Sequence, residues 1–405
     1  MLEGLRVLDL ADASGYLCGR TLADLGADVI NVEPPGGDPG RCEPPFAQDL
    51  SGENRSLAWL AGNSNKRSLV CDRSSSEGHD LFTKLAKVAD VIVETLPPGE
   101  LQARGLDYVE LRKLNPALVY TTITPFGCDG PLNAVPAGDL EITASSGSLW
   151  LAGEPGQTPV RSTLPQSANW AGMYAAMGTL MAVLARDANG GEGQHVDVSA
   201  QASMVTAISH APIFWDLLGE EQHRSGPFLT GRSVTGAKFR NIWPCRDGYV
   251  TFALYGGPAG RDSNRELVAW IDEASQPGGA PPALKAVDWA TFEPTRATQA
   301  EVDALESDIA PFIESLTKEE FFARFVERNM LGYKVSTVED IVADPQLEAR
   351  AFWHQVESPW AAERTLRFPG SFGLFNGQRP APRRLAPALG EHTAEVLCEW
   401  LGVHQ

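Results

Sequence analysis

Apolar positions in the first half of the chain recur in two alternating periods. Residues 5–10 (LRVLDL) form a short apolar run that ends in the small residues Ala13-Ser14-Gly15, and a helical spacing through Leu17, Leu22 and Leu25 follows until Gly26 closes it. Asp28–Glu33 (DVINVE), stopped by Pro34-Pro35-Gly36-Gly37, reads as the next strand. The order repeats: a helix over 81–88 leads to a strand over 90–94, and a helix from Tyr108-Val109-Glu110-Leu111 leads to a strand over 118–123. Strands alternating with helices predict a parallel sheet, here a doubly wound α/β domain.

Beyond it, the spacing over 172–186 places Met173, Met177, Leu180, Met181 and Leu184 on one helix face, and Gly190-Gly191 ends the helix. Such a stripe predicts core packing rather than a cofactor contact. A strand over 194–199 (QHVDVS) and a mainly apolar helix from Ala200 to Leu218 continue the layer, with His195 and His210 read as structural histidines. From Gly226 the texture changes to Gly-, Pro- and Ser-rich connections around a strand over 249–254 and a charged helical stretch over 302–328, while 276–282 (QPGGAPP) is a loop by composition. This divides the chain into a large domain of 1–225 and 330–405, ending in a helix over 391–401, and a smaller α/β domain of 226–329.

Composition narrows the function. The 405 residues are 43% hydrophobic, enough to bury a large core in two or more domains. A net charge of -19 opposes nucleic-acid phosphates and anionic lipid, so neither is expected as a partner, and an anionic ligand would need local cations. No apolar run reaches the about eighteen residues of a membrane span, and the opening MLEGLRVLDL lacks a basic-then-apolar leader, so the expected location is cytoplasmic. Cys18, Cys42, Cys71, Cys128, Cys245 and Cys398 form no C-x-x-C pair, which argues against a metal site and a disulfide framework. The turn at 11–16 is not G-x-G-x-x-G, and the P-loop, G-x-S-x-G and H-E-x-x-H patterns are absent.

The motifs taken in order are more specific. Gly4-Leu5-Arg6-Val7-Leu8-Asp9-Leu10, Leu22-Ala23-Asp24-Leu25-Gly26-Ala27-Asp28-Val29, Val32-Glu33-Pro34-Pro35-Gly36-Gly37-Asp38 with Arg41, and Asn65-Lys66-Arg67-Ser68 are followed by Ala89-Asp90-Val91-Ile92-Val93-Glu94 and Pro98-Gly99. Asn115-Pro116-Ala117-Leu118-Val119-Tyr120, Gly193-Gln194-His195-Val196-Asp197-Val198-Ser199, Asp344-Pro345-Gln346-Leu347 and Gly390-Glu391-His392-Thr393 complete the series. In this series the chain resembles the class III CoA-transferases, the family of formyl-CoA transferase, carnitine CoA-transferase and α-methylacyl-CoA racemase. The resemblance implies ring-shaped subunits, each a Rossmann-like large domain plus a smaller one, interlinked in a dimer. It also implies coenzyme A or an acyl-CoA as substrate, with no permanently bound cofactor. Carried over by position, the CoA contacts are Ala13, Ser14 and Gly15 in the first turn, Arg41, Lys66, the loop Thr95-Leu96-Pro97, and Arg104. Small residues would admit the pantetheine, and the three cations would offset phosphate charge. The chain departs from the family where Gly15-Tyr16 replaces Gly-Pro and Thr95-Leu96-Pro97 replaces Asn-Phe-Arg.

A larger departure concerns the nucleophile. The family's aspartate attacks the acyl-CoA thioester, and it stands four or five residues before the glycine that opens the Met-rich helix; here those places hold Ala168 and Ser167. Gln166 is nearest in shape but is an amide, and Asp139 matches an acidic position that accompanies the nucleophile, with capping or salt bridging as its expected role. Gly138 stands where the racemase branch has a histidine. The leading expectation is a subunit of a heteromeric CoA-transferase, like (R)-benzylsuccinate CoA-transferase with its two homologous subunits, that moves CoA between an acyl-CoA such as succinyl-CoA and a carboxylic acid and depends on a homologous partner carrying the aspartate. The alternatives are an acyl-CoA lyase, isomerase or hydrolase using Gln166, Ser167, Asn169 or Asp139, and a non-enzymatic structural subunit. Trp150, Trp170, Phe214 and Trp215 are candidates for an aromatic pocket, and Tyr255-Gly256-Gly257-Pro258 for a glycine-rich lid.

Overall fold

The structure, a computed structural model, describes residues 1–47, 55–275, 277–357 and 365–403. It contains two compact units: Met1–Leu149 with Arg161–Glu221 and Pro345–Gln405, and Trp150–Val160 with Gln222–Asp344.

The first unit is built on six parallel strands, β1 (Arg6–Leu10), β2 (Asp28–Glu33), β3 (Arg67–Val70), β4 (Val91–Glu94), β5 (Val119–Thr124) and β6 (His195–Ser199), ordered β3-β2-β1-β4-β5-β6. Register sorts the side chains by face. Val29, Val7, Val91 and Val119 lie side by side across one face, while Ile30, Leu8, Ile92 and Tyr120 line the other. Both sets are buried, which is why these strands read as apolar runs rather than alternations. The helices that accompany the strands include α1 (Tyr16–Asp24), α2 (Leu57–Asn63), α3 (Ser76–Val88), α4 (Tyr108–Leu114), α5 (Asp139–Ser145), α6 (Ser167–Ala188), α7 (Ala200–Ala207) and α8 (His210–Leu218). Residues of α1, α5, α6 and α7 join the valine-face core, and residues of α3, α4 and the C-terminal helix Thr393–Leu401 join the other. Arg67 fastens that last helix by bonding Asp28, Glu395 and Glu399.

Two sequence expectations for this unit need correction. The helix expected from Gly172 begins at Ser167, and its methionine stripe is not core: Met173, Met177, Met181 and Leu184 are exposed. The buried face is Ala171, Gly172, Ala175, Ala176, Thr179, Ala182 and Val183, because small residues let α6 approach α1 and the sheet closely. A Cβ on Gly172 would lie 2.9 Å from Leu17 Cβ. The single helix expected from Ala200 to Leu218 is two, broken at Ile208 and Ser209. In addition, β3 and α2 were not legible from the pattern, β3 being only four residues long.

In the second unit, strands Ile242–Cys245, Gly248–Thr251 and Tyr333–Lys334 form an antiparallel sheet. Its core includes Trp243, Phe252, Trp270, Phe321 and Phe325. The charged stretch expected as one helix is Gln299–Ser315 followed by Lys318–Glu327, because Thr317 starts a new helix with a capping box to Glu320. The glycine-rich segment at 255–258 enters the helix Gly257–Ala274, where a Cβ on Gly256 would meet Pro294 at 2.6 Å. Of 276–282, Gln276 lies outside the described residues, and the helix Pro282–Ala286 begins at its far end.

Candidate functional site

Strand order reverses between β1 and β4, and the carboxyl ends of such strands leave a crevice where doubly wound sheets bind ligands. The chain entering that crevice is fixed by buried charge. Lys66 Nζ donates to Asp9 Oδ2 (2.8 Å), Asn63 Oδ1 (2.9 Å) and the Tyr16 carbonyl (3.2 Å), and neither charged side chain is exposed. Gly19 makes room for this pair, since a Cβ there would stand 1.9 Å from Asp9 Oδ2. Arg41 is likewise interior, its guanidinium donating twice to Glu33 (2.7 and 2.6 Å) and once to the Pro387 carbonyl (3.0 Å), over the Trp59 ring. Two cations expected to meet phosphates are therefore engaged inside the unit. Arg104 is exposed on a short turn at Gln102–Arg104.

The turn after β1 carries the remaining expected contacts. Ala13 and Ser14 are exposed, and Ser14 donates through both its amide and its hydroxyl to Asp12 Oδ1 (2.9 and 2.6 Å). Gly15 is buried, and a Cβ there would lie 2.6 Å from Thr95 Cγ2, so its small size serves packing of the turn on the β4 loop. The Asp12 amide donates to Thr95 Oγ1 (2.9 Å), and the Leu96 amide to Glu94 Oε2 (2.6 Å).

These elements enclose a cavity of about 310 Å³. Ser14, Thr95, Leu96, Pro97, Thr124, Pro125, Ala134, Val135 and Ala200 line it, and so do Ser167 and Ala168 from the first turn of α6. Residues far apart in sequence, expected separately as CoA contacts and at the family's nucleophile position, thus share one wall. Among the described lining residues the only carboxylate is Asp12. Asp139 is engaged elsewhere: its Oδ1 accepts from the Gln166 amide (2.8 Å), the Ser167 amide (2.9 Å) and the Ser167 hydroxyl (2.9 Å), which caps α6. Gln166 and Asn169 bond the carbonyls of Leu164 and Pro165 and are not among the lining residues. Nor are the four candidate aromatics: Trp170 stacks on Tyr174, Phe214 and Trp215 stand exposed on α8, and Trp150, in the second unit, carries the Arg224 guanidinium over its ring.

Two smaller cavities flank the Thr95–Pro98 loop. One of about 210 Å³ lies over the ends of β1 and β2, lined by Asp9, Asp12, Asn31, Glu33, Trp59 and Arg73 among others. Sequence reading missed Asp12, Trp59 and Arg73. Asp12 and Arg73 follow the ends of β1 and β3, the position that marks ligand contacts in this fold class, and that signal was available for Asp12. Arg73 donates to the Val32 carbonyl (3.1 Å), and burial lowers its pKa. The other cavity, about 240 Å³, is lined by Glu94, Tyr108, Tyr120, Thr122, Cys128 and His195 among others. His195 there shares a 2.9 Å hydrogen bond with Thr122 Oγ1 and stacks on Tyr108, while His210 is exposed at the start of α8. Burial pushes the Glu94 carboxyl up to about 7, with Glu100 and Asp197 adding to the rise and bonds from Thr122 and the Leu96 amide opposing it.

Residues 2–393 match CoA-transferase family III. The chain is 34% identical to the succinyl-CoA:(R)-benzylsuccinate CoA-transferase subunit BbsE of Thauera aromatica, over 97% of this chain and 93% of that one. It is 31% identical to a succinate–glutarate CoA-transferase of Agrobacterium fabrum, over 98% and 95%. Among solved structures it superposes on a CAIB/BAIF family protein from Brucella suis with a TM-score of 0.81 at 28% identity, covering 98% of this chain and 99% of that one. No helix among the described residues is long and apolar enough to cross a membrane.

Proposed function

The chain belongs to CoA-transferase family III, and from that premise we propose that it is one subunit of a heteromeric transferase that moves CoA from an acyl-CoA such as succinyl-CoA to a carboxylic acid. A homologous partner supplies the attacking carboxylate. The observation that carries this reading is the cavity wall at the start of α6, where Ser167 and Ala168 stand and Asp139 is held as a cap. Carrying CoA needs a carboxylate: it attacks the thioester carbonyl and releases CoA thiolate, and the thiolate then attacks the enzyme carbonyl of the mixed anhydride to give an enzyme-CoA thioester as the first acid leaves. A serine hydroxyl could only take the acyl group, and an alanine methyl or an amide cannot serve. The subunit naming of the Thauera relative supports the same reading. In this chain the CoA ester would lie along Ser14 and Thr95–Pro97, with Arg73 as the nearby cation for phosphate.

Partner association has its own support in exposed apolar surface. On α6 the methionine stripe faces outward, and on α8 Ile213, Phe214, Trp215, Leu217 and Leu218 are exposed with no residue of the helix buried. Contiguous apolar surface of this kind marks a contact with another chain. An interlinked arrangement with the Asp-bearing homologue would cover it.

The test is to assay CoA transfer from succinyl-CoA to benzylsuccinate, glutarate and related acids, using the chain alone and co-expressed with a homologue that has Asp in the α6 loop. Activity only in the co-purified complex is expected. Full activity of the chain alone would overturn the partner requirement and favour a second reading, in which Asp12, the cavity's carboxylate, is the nucleophile; Asp12→Asn would then abolish hydroxylamine trapping of the intermediate.

A further inference from the structure

The Thr95–Pro98 loop is thinly supported for a binding wall. Leu96 packs in part against the sheet core, yet Leu96 and Pro97 also line all three cavities, of about 310, 240 and 210 Å³, so the loop has open space on several sides. Two tethers fix it. One is the Asp12 amide on Thr95 Oγ1, which joins it to the turn after β1, and the other is the Leu96 amide on Glu94 Oε2 at 2.6 Å. Glu94 ends β4 and is only 6% exposed, so its carboxylate sits under the loop as a fixed acceptor.

We infer that Glu94 is a positioning residue: its carboxylate holds the Leu96 amide and so shapes the wall against which a CoA ester lies, and protonation of that carboxylate loosens the wall. The inference rests on the CoA-ester reading of the larger cavity. An N–H bond to a carboxylate is stronger than one to a neutral carboxylic acid, so the tether weakens when Glu94 gains a proton. The surroundings place that event in the working range of pH. Burial is the main cause, and the Glu100 and Asp197 carboxylates reinforce it. Asp107 also stands on that cavity wall. The remaining titratable groups there, Tyr108, Tyr120, Cys128 and His195, bring no opposing cation: burial lowers the His195 pKa and pushes the Cys128 thiol up to about 12. Arg73 is the cation that acts on Tyr120.

The experiment compares wild type, Glu94→Gln and Glu94→Ala, each in the co-purified complex, between pH 5.5 and 8.5. Two quantities are read: succinyl-CoA Kd by calorimetry, and hydrogen exchange of the Leu96 amide corrected for intrinsic rates. Wild-type affinity is expected to weaken by about fivefold on acidification, with a midpoint near pH 7, as Leu96 exchange accelerates. Glu94→Gln, which keeps a neutral acceptor, should lose the midpoint and stay at the weak limit, and Glu94→Ala should exchange fastest at every pH. Identical pH profiles for wild type and Glu94→Gln, or Leu96 exchange that ignores both pH and substitution, would overturn the inference. Absence of succinyl-CoA binding at any pH instead overturns the functional reading, and Leu96 exchange still decides whether the tether exists.

Discussion

Asp139 places one carboxylate oxygen against three donors at the start of α6, the amides of Gln166 and Ser167 and the Ser167 hydroxyl. Removing that oxygen leaves helix-end donors unpaired. Asp139→Ala is expected to cost about 1–2 kcal/mol, read as a lower urea midpoint at unchanged slope, while Asp139→Asn keeps an acceptor and loses less. Hydroxylamine trapping in the complex should survive Asp139→Asn, since the residue caps rather than attacks. Lys66 gives a second residue-scale expectation. Its Nζ and the Asp9 carboxylate are both fully buried, so Lys66→Met leaves Asp9 charged and unpaired at a cost of about 3–5 kcal/mol. A phosphate contact would instead lower CoA affinity and leave stability intact, so a thermal melt separates the roles. Glu306, in the second unit, tests burial of charge. Desolvation is the main cause that pushes its carboxyl up to about 7, against the Arg240 amide and guanidinium. A raised carboxyl pKa means the folded state holds its proton more tightly than the unfolded chain, so this contribution to stability is full below about pH 4.5 and is lost as pH climbs towards 7. Glu306→Gln should therefore melt higher than wild type at pH 8, by about 2–4 °C, and no higher at pH 4.5.

The packing of α6 decides more at the scale of elements than its composition suggests. Gly172 lets the helix cross α1 with Leu17 Cβ only 2.9 Å from where a side chain would begin, and further along Thr179 reaches Thr121 of β5 at 2.6 Å. Gly172→Val should overpack this crossing and destabilise by about 1–3 kcal/mol, seen as a lower melting temperature with the fold retained by circular dichroism. The same crossing explains what the sequence could and could not tell. Hydrophobic patterning found strands β1, β2, β4 and β5 because parallel strands are apolar on both faces, found the edge strand β6 by its alternation, and marked the turn at Ala13–Gly15 by its small residues. Periodicity points to the wrong face of α6 because it weights large apolar side chains, whereas small residues, mainly alanines and Gly172, form the contact. The family resemblance, not periodicity, implies Arg41 and Lys66 as phosphate ligands, and a motif position shows a cation without showing Glu33 and Asp9 beside it. Ser14, Thr95, Leu96, Pro97, Ser167 and Ala168 were legible as site residues only through family motifs, since no local pattern brings positions 14, 95 and 167 together.

For the whole molecule, the unexplained quantity is apolar surface on a strongly acidic chain. With a net charge of -19, chance encounters between copies are repelled, so any stable contact must come from a complementary apolar area or from a partner with a different charge pattern. The two helices that expose such area, α6 and α8, belong to the unit that holds the cavity, and α6 also supplies Ser167 and Ala168 to the cavity wall. Association and catalysis would thus meet on one helix: a partner covering the Met173, Met177 and Met181 stripe takes hold of the element whose first turn lines the site. Substituting on the stripe separates the two roles, because these side chains lie on the exposed side and make no part of the α1 crossing. Met177→Glu with Met181→Glu should leave the melting temperature of the isolated chain within about 1 °C, since exposed substitutions shift stability little. Against the Asp-bearing homologue, the same variant should weaken association by about 100-fold, as two carboxylates would have to be desolvated within an apolar contact, and transferase activity should fall in step with the fraction of complex measured by sedimentation. A variant that still sediments as the complex would place the partner contact on some surface other than the α6 stripe.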